Sequence, residues 1–432
     1  MFDYIAVIDL SQGLSATTAK EITDRVGASL PDYKQVSRTR EFHLFVQNRT
    51  GALFDAISLQ NGSLLGRAFK RDHSRSAPIT PRDLSAFASA ATRLADPSAL
   101  VRDLWGQYVL ISVDASSRQA LAFRSPLCGI PVYYVTNGDI WLFFSNPAHI
   151  AEIKAASFQI DWSYLTFHQR YHYIETDDAP LLPIKQLRHG HSLRISDRNA
   201  TLCNDWDLRQ IAKPSETQDA RLLAMRLRET VVDCVSAWSS LFQKICLRLS
   251  GGLDSSIVAS ALRLAENGVQ VNCFTYYGST IEGDERQFAR LAARRNDYPL
   301  TEIPDRRGNQ RYDLLWEFPL SGTPFGELLS AFRAPMEYPV IQSCGAQAVF
   351  DGEPGDAIFV RGNFNFARDY LFDKRFDLRF LQVAAWAARR NKRSIYAIMK
   401  DAIAGRRELP GSALVENLRL TESPLMSEQK FA

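Results

Sequence analysis

The residues with the clearest chemical purpose are Ser250, Gly251, Gly252, Leu253, Asp254, Ser255 and Ser256, which are consecutive. They follow a short apolar run at 245–249 and open a helical pattern over 255–266 that Asn267-Gly268 would close. A phosphate needs converging backbone N–H donors, the positive end of a helix and no Cβ in its way. Two glycines and three small hydroxyl residues at a helix start supply these. Asp254 would repel phosphate unless a divalent cation lies between them, and Mg²⁺ characteristically takes one or two carboxylates plus phosphate oxygens. The plain structural alternative is a helix N-terminus with a Gly-rich turn. No lysine follows a glycine, so the phosphate loop GxxxxGK is excluded, and no G-x-G occurs, which excludes the dinucleotide fingerprint. A loop with a carboxylate in place of that lysine suits release of pyrophosphate from ATP rather than transfer of its terminal phosphoryl group.

The heptapeptide resembles the signature of the ATP pyrophosphatase (PP-loop) superfamily. A second segment, Phe350-Asp351-Gly352-Glu353-Pro354-Gly355-Asp356-Ala357-Ile358-Phe359, is similar to the second motif of the asparagine synthetase family. There Asp351 and Gly352 would bring the backbone near the nucleotide, and Asp356 would be the second carboxylate for a metal shared with Asp254. Glu353 would be a general base or a group that orients the nucleophile. An acidic surface loop is the alternative for this segment. The two carboxylates can meet only if both loops lie at one sheet edge, where parallel α/β sheets bind ligands. The resemblance also implies nucleotide contacts, mainly through backbone, from Leu249, Tyr276, Asp351 and Gly352. Gly283-Asp284-Glu285-Arg286 looks like the family's acidic helix start.

Upstream, Arg124-Ser125-Pro126-Leu127-Cys128-Gly129-Ile130-Pro131-Val132-Tyr133-Tyr134 is similar to the RDPxGxxPxYY stretch of the glutaminase-like domain of these synthetases, with Ser125 where the family has aspartate. Phe144-Ser145 and Gly190-His191 with Leu193 fall where the next two blocks are expected. The glutamine-using members carry a nucleophilic cysteine at the second position, and here that residue is Phe2. An N-terminal nucleophile uses its own α-amine as base, so the internal Cys128 cannot replace it. The acceptor amine would then be free ammonia or an amine of the substrate. Among members without the cysteine, the Gly-Asp-Ala-Ile-Phe ending, the Gly283–Arg286 start, and Cys234 and Trp238 before the phosphate loop look most like lasso-peptide macrolactam synthetases.

The resemblance implies that a substrate carboxylate is adenylated with release of pyrophosphate and that an amine then attacks the acyl carbon. In a lasso cyclase this closes a ring within a precursor peptide, with a leader-peptide protease or recognition protein as a possible partner. An ammonia-dependent asparagine synthetase or another small-molecule amide ligase is the second reading, and an ATP-binding pseudoenzyme or scaffold the third. The stretch after Phe359 is shorter than in relatives. None of Lys374, Lys400 and Lys430 matches the lysine that the family brings to the leaving phosphates.

These motifs need two kinds of scaffold. Apolar runs at 4–10, 43–47, 108–114, 120–124, 132–136 and 140–145 alternate with turn signals, Asn137-Gly138 among them, and predict antiparallel strands. The expectation is an Ntn-hydrolase-like β-sandwich domain over 1–205, with helices near 16–26 and 81–95. From 215 to 432 the alternation of strand and helix predicts a parallel-sheet synthetase domain. Ser215 with Gln218 has capping-box spacing, Leu223, Leu227, Val231, Val235 and Trp238 form one apolar helix face, and 372–404 reads as helical throughout.

Composition sets outer limits. With 432 residues, two domains are expected. Hydrophobic residues at 46% and charged residues at 23% rule out intrinsic disorder. Lys and Arg number 51 against 48 Asp and Glu, too balanced to require nucleic acid as a partner. No apolar run reaches the roughly 18 residues of a membrane span, and the N-terminus has no secretory pattern. A cytoplasmic protein with six scattered thiols, reduced and mostly buried, is expected. His168 and His172 have the spacing of two helical metal ligands but lack a third. His189 and His191 flank a glycine and are read as structural, and Arg389–Arg393 as a solvated helix end.

Overall fold

The computed structural model describes residues 2–11, 16–48, 53–59, 61–71, 78, 96–171, 174–196, 199–207, 219–278, 284–305, 322, 328–353, 355, 366–373, 377–390 and 392–405. By internal contacts the chain divides into one unit of residues 1–165 with 175–351 and another of 166–174 with 352–432.

The first unit begins with β1 (Phe2–Asp9), α1 (Ala16–Ser29), β2 (Lys34–Arg38), β3 (Phe42–Asn48), β4 (Asp55–Leu59) and β5 (Gly62–Lys70). There follow α2 (Pro97–Asp103), β6 (Leu104–Asp114), β7 (Gln119–Arg124), β8 (Tyr133–Asn137), β9 (Ile140–Phe144) and α3 (Pro147–Glu152). β10 (Gln159–Ile160), the start of α4 (Trp162–Arg170, which from Thr166 on belongs to the other unit), β11 (Leu181–Leu182), β12 (Lys185–Gln186), β13 (His191–Ser196) and β14 (Asn199–Asn204) complete this part. Two six-stranded sheets result, in the orders β12-β8-β9-β1-β3-β2 and β14-β13-β7-β6-β5-β4. Every pairing within them is antiparallel.

Strand periodicity explains why the sheets stack. Tyr4, Ala6 and Ile8 of β1 join Phe42, Leu44 and Val46 in one core with Val109, Ile111, Ala122 and Leu193 of the second sheet. The alternate residues Ile5 and Val7 face the other way and pack with Ala19, Ile22 and Val26 of α1 and Ile150 of α3. On the far side Leu100 of α2 packs with Leu64, Tyr108 and Phe123. Asp96 and Asn146 cap α2 and α3, accepting hydrogen bonds at 3.0 Å from Ser98 N and Ala148 N, each with proline at the first helical position. The β8–β9 turn is shifted by one residue from the Asn137-Gly138 expectation. Asn137 still pairs with Ile140, and Gly138, at φ 64°, leads the two-residue loop. Glycine alone at the first position with positive φ is the II′ arrangement.

The same unit continues with α5 (Ala220–Ser239), β15 (Lys244–Arg248), α6 (Leu253–Ala265), β16 (Gln270–Tyr277), α7 (Arg286–Asn296), β17 (Leu300–Pro304), α8 (Leu328–Cys344) and β18 (Ala348–Phe350). These four strands make a parallel sheet in the order β17-β16-β15-β18. Ile245, Leu247 and Leu249 pack with Ala259 and Leu262 of α6, Ala293 of α7 and Val235 of α5 on one face. Cys246 and Phe274 meet Met336, Val340 and Ile341 of α8 on the other. The order reverses at β15, which is why its crossovers fall on opposite faces.

Three local expectations need correction. Helix α5 starts at Ala220 on an Asp219 cap that accepts from Arg221 N at 2.9 Å, while the Ser215–Gln218 box lies outside the described residues. Its apolar stripe is only half used: Leu223 and Leu227 are 39% and 49% exposed, whereas Trp238 stands edge-on to Phe69, centroids 4.9 Å apart. The C-terminal stretch is not one helix but α9 (Phe366–Asp373), α10 (Leu378–Arg390) and α11 (Ile395–Gly405). Asp377 accepts from Phe380 N at 3.0 Å and Ser394 from Ala397 N at 3.2 Å, so each restarts a helix. Within the second unit Ala367, Leu371, Phe380, Ala384, Ala387, Ile398 and Ala402 form the core of these three helices. The helix expected over 81–95 lies outside the described residues.

Candidate active site

The loop after β15 sits where the strand order turns, between β16 and β18, the crevice in which open parallel sheets hold ligands. Gly251 has φ 82°, and a Cβ there would fall 2.3 Å from Ala289 N, so α7 packs against this residue's backbone and tolerates only glycine. Gly252 is the N-cap of α6 and offers no side chain to the first turn, whose N–H groups are left for another acceptor. Ser250 Oγ accepts from Gly252 N at 3.1 Å and lies 3.0 Å from Ser255 Oγ, bracing the loop from within. Ser255 is buried and Ser256 half-buried, with Ser256 N donating to Gly252 O at 3.1 Å.

Asp254 is half-buried in the first turn of α6, and among the described residues no protein group pairs with it. An unspent carboxylate beside uncapped helix N–H groups fits a cation bridging to a bound anion. Asp356, its proposed partner, and Pro354 lie outside the described residues, so the shared-metal arrangement rests on sequence. Among the described residues no cluster of three His, Cys, Asp or Glu could hold a metal.

The other expected residues occupy three settings. Leu249 is fully buried in the core, and its N–H donates to Phe274 O at 2.9 Å. Asp351 follows β18 and is half-buried, and Tyr276 is on β16 next to β15. Gly352 and Glu353 belong to the second unit, where Gly355 N donates to Gly352 O at 2.8 Å to close a turn and Glu353 is exposed.

A group that the sequence reading missed joins two of these residues. Arg248, the last residue of β15, donates from Nε and Nη2 to Glu337 Oε1 at 3.1 and 2.9 Å, and from Nη1 to Asp351 Oδ2 at 2.6 Å. The Tyr276 hydroxyl also donates to Glu337. Burial opposes the guanidinium's charge, but Glu337 and then Asp351 outweigh it and raise its pKa. Burial and the bond to Glu337 likewise raise that of Tyr276. The detectable signal was a lone arginine within the buried run Ile245-Cys246-Leu247-Arg248-Leu249, since such a charge demands a partner.

At the neighbouring strand ends Arg286 lies 4.1 Å over the Tyr277 ring and donates to Asp284 at 2.8 and 2.6 Å. The Asp284 carboxyl, which also accepts from Arg286 N, is held down to about 2, first by the Arg286 side chain. Gly283 lies outside the described residues. His172, Lys374 and Lys430 do too, and Lys400 is exposed.

In the antiparallel sheets, Phe2 packs at the edge of the core, edge-on to Phe54 at 6.0 Å. Arg124 is buried and donates to Cys128 O at 3.0 Å, Leu187 O at 3.1 Å and Glu175 at 3.2 Å. Ser125 is fully buried, accepting from Tyr108 N and donating to Gly106 O, both at 3.0 Å. His189 brackets Glu175 and Cys128 O, each at 2.9 Å, and Gly190 takes φ 69°. Both interactions tie loops together, the structural role expected of His189.

Residues 226–419, just under half of the chain, match the family model described as asparagine synthase. No curated protein matches. Among solved structures, the chain is similar to a glutamine phosphoribosylpyrophosphate amidotransferase from B. subtilis complexed with ADP and GMP, at 9% identity and TM-score 0.25, covering 81% of this chain and 90% of that one. A glutamine-dependent NAD⁺ synthetase from Acinetobacter baumannii in complex with ADP matches at 14% identity and TM-score 0.23, covering 54% of this chain and 43% of that one. An allosteric regulatory enzyme of purine biosynthesis matches at 11% identity and TM-score 0.22, with 81% and 83% covered. The domain matched over 226–419 is that of an ATP-dependent carbon–nitrogen ligase of the asparagine synthetase-like kind.

Proposed function

We propose that the chain adenylates a carboxylate and joins it to an amine, and that the substrate is a peptide whose own N-terminal amine closes a macrolactam. The observation that carries this reading is the Ser250–Ser256 loop, uncapped and glycine-constrained, at the switch point of a parallel sheet within the matched domain. ATP would lay its phosphates across the N–H groups at the start of α6, with Leu249 and Tyr276 toward base and ribose. Mg²⁺, held by Asp254 with Asp356, would neutralise charge on the departing pyrophosphate. Attack of the substrate carboxylate on the α-phosphorus gives an acyl-adenylate and pyrophosphate, and attack of the amine on the acyl carbon then releases AMP. Holding carboxylate and amine on one peptide supplies the entropic advantage of an intramolecular reaction. Glu353 would take the amine's proton or orient the amine.

A ligase that joins free ammonia to a small carboxylate is the second reading. ATP–[³²P]pyrophosphate exchange separates the readings. Exchange that requires a peptide, and is absent with aspartate, is expected; exchange with aspartate alone would replace the peptide reading with the small-molecule one. Absence of exchange with either, in protein that binds Mg·ATP, would favour the nucleotide-binding scaffold.

A further inference from the structure

The carboxylates and the arginine at the sheet's edge do more than satisfy one another. Arg248 is one residue upstream of Leu249 and two upstream of Ser250, so its backbone leads directly into the proposed phosphate loop. Its guanidinium holds Asp351, the first residue of the second motif after β18. Leu247 pairs with Phe350 in the sheet, which puts Arg248 and Asp351 side by side as the two strands end. Glu337 fixes the guanidinium from the other side through two of its nitrogens, and is itself fixed by the Tyr276 hydroxyl. Glu337 is buried in α8, flanked by Pro335 and Pro339. The fork has one geometry that serves both carboxylates, and lysine cannot reproduce it.

We propose that Arg248 is the positioning residue of this site, locking Asp351 to the strand that carries the phosphate loop so that both present backbone to one nucleotide. This rests on the ATP-binding reading of the two motifs given above. It assigns Arg248 no contact with ATP: it acts through Asp351, Glu337 acts through Arg248, and the Tyr276 hydroxyl acts through Glu337.

The test is a binding cycle with Mg·ATP as the probe, read by titration calorimetry, with thermal unfolding recorded for each variant. Arg248→Met and Asp351→Ala should each weaken Mg·ATP about tenfold, and the double variant should be no weaker than the worse single, because both remove the same tether. Arg248→Lys should recover part of the loss, since charge survives but the fork does not. Binding by Arg248→Met within twofold of the unaltered protein, or losses that multiply in the double variant, would overturn the proposal while leaving the ATP reading intact. If Arg248→Met does not fold, Arg248→Lys and Asp351→Ala decide, and wild-type affinity in both overturns it. An unaltered protein that fails to bind Mg·ATP refutes the ATP reading itself, and the tether with it.

Discussion

At the residue scale the account turns on which side chains are spent and which are not. Ser250 and Ser255 are engaged with the loop's own atoms, whereas Asp254 has no protein partner among the described residues. Asp254→Asn is therefore expected to leave the melting temperature nearly unchanged and to reduce pyrophosphate exchange at least 100-fold, a loss of about 3 kcal/mol of transition-state stabilisation. Gly251→Ala should behave in the opposite way. Its Cβ would meet Ala289 N at 2.3 Å, so a stability loss of roughly 2–4 kcal/mol should appear in denaturant unfolding before any question of activity arises. A third expectation concerns pH. Burial raises the Glu175 carboxyl, but the hydrogen bond and charge of His189, followed by Arg124, outweigh it and bring it below the ordinary value. A carboxyl depressed on folding contributes stability above its unfolded pKa and loses it as pH falls through the folded value. Unfolding measured from neutrality down through the usual glutamate range should therefore show an acid limb that Glu175→Gln flattens.

At the element scale, much of the architecture was legible. Short apolar runs that end in Gly-rich or Asn-Gly turns marked β1, β3, β6 to β9 and the strands of the parallel sheet, because period-2 burial and turn chemistry are local. What failed was also physical. The stripe Leu223–Trp238 correctly announced a helix, but periodicity does not say what covers the stripe, and its first half is exposed. Within 372–404, which reads as helical throughout, Asp377 and Ser394 each start a new helix by accepting from a backbone N–H three residues on. Trp238 packs on Phe69 and within 6.4 Å of Trp105, joining α5 to β5 and β6. Trp238→Ala is expected to cost about 3 kcal/mol and to lower the cooperativity of unfolding between the sandwich and the parallel sheet, as seen by calorimetry.

At the scale of the whole molecule, the place of the loop, between a strand and the helix it opens, could be read from seven consecutive residues and their flanks, because strand period, glycines and a helix start are all local signals. The Arg248–Glu337–Asp351 group could not be read in that way. Its members lie 89 and 103 positions apart from Arg248 and are brought together only by the strand order that places β18 beside β15 and α8 behind it. The lone arginine in an apolar strand announced that a partner existed, but only the fold could name it. In the same way Ser125, which departs from the aspartate of the resembled motif, proves to be a buried neutral group satisfied by two backbone atoms, a position where an unpaired charge would be costly.

The most direct measurement is a crystal structure of the full chain grown with Mg²⁺ and a non-hydrolysable ATP analogue. The account requires the phosphates on the backbone N–H groups of residues 253–255 and a Mg²⁺ at about 2.1 Å from a carboxylate oxygen of Asp254, with Asp356 on the same ion. A nucleotide seated away from the β15–α6 loop, or a metal that ignores Asp254, would contradict it.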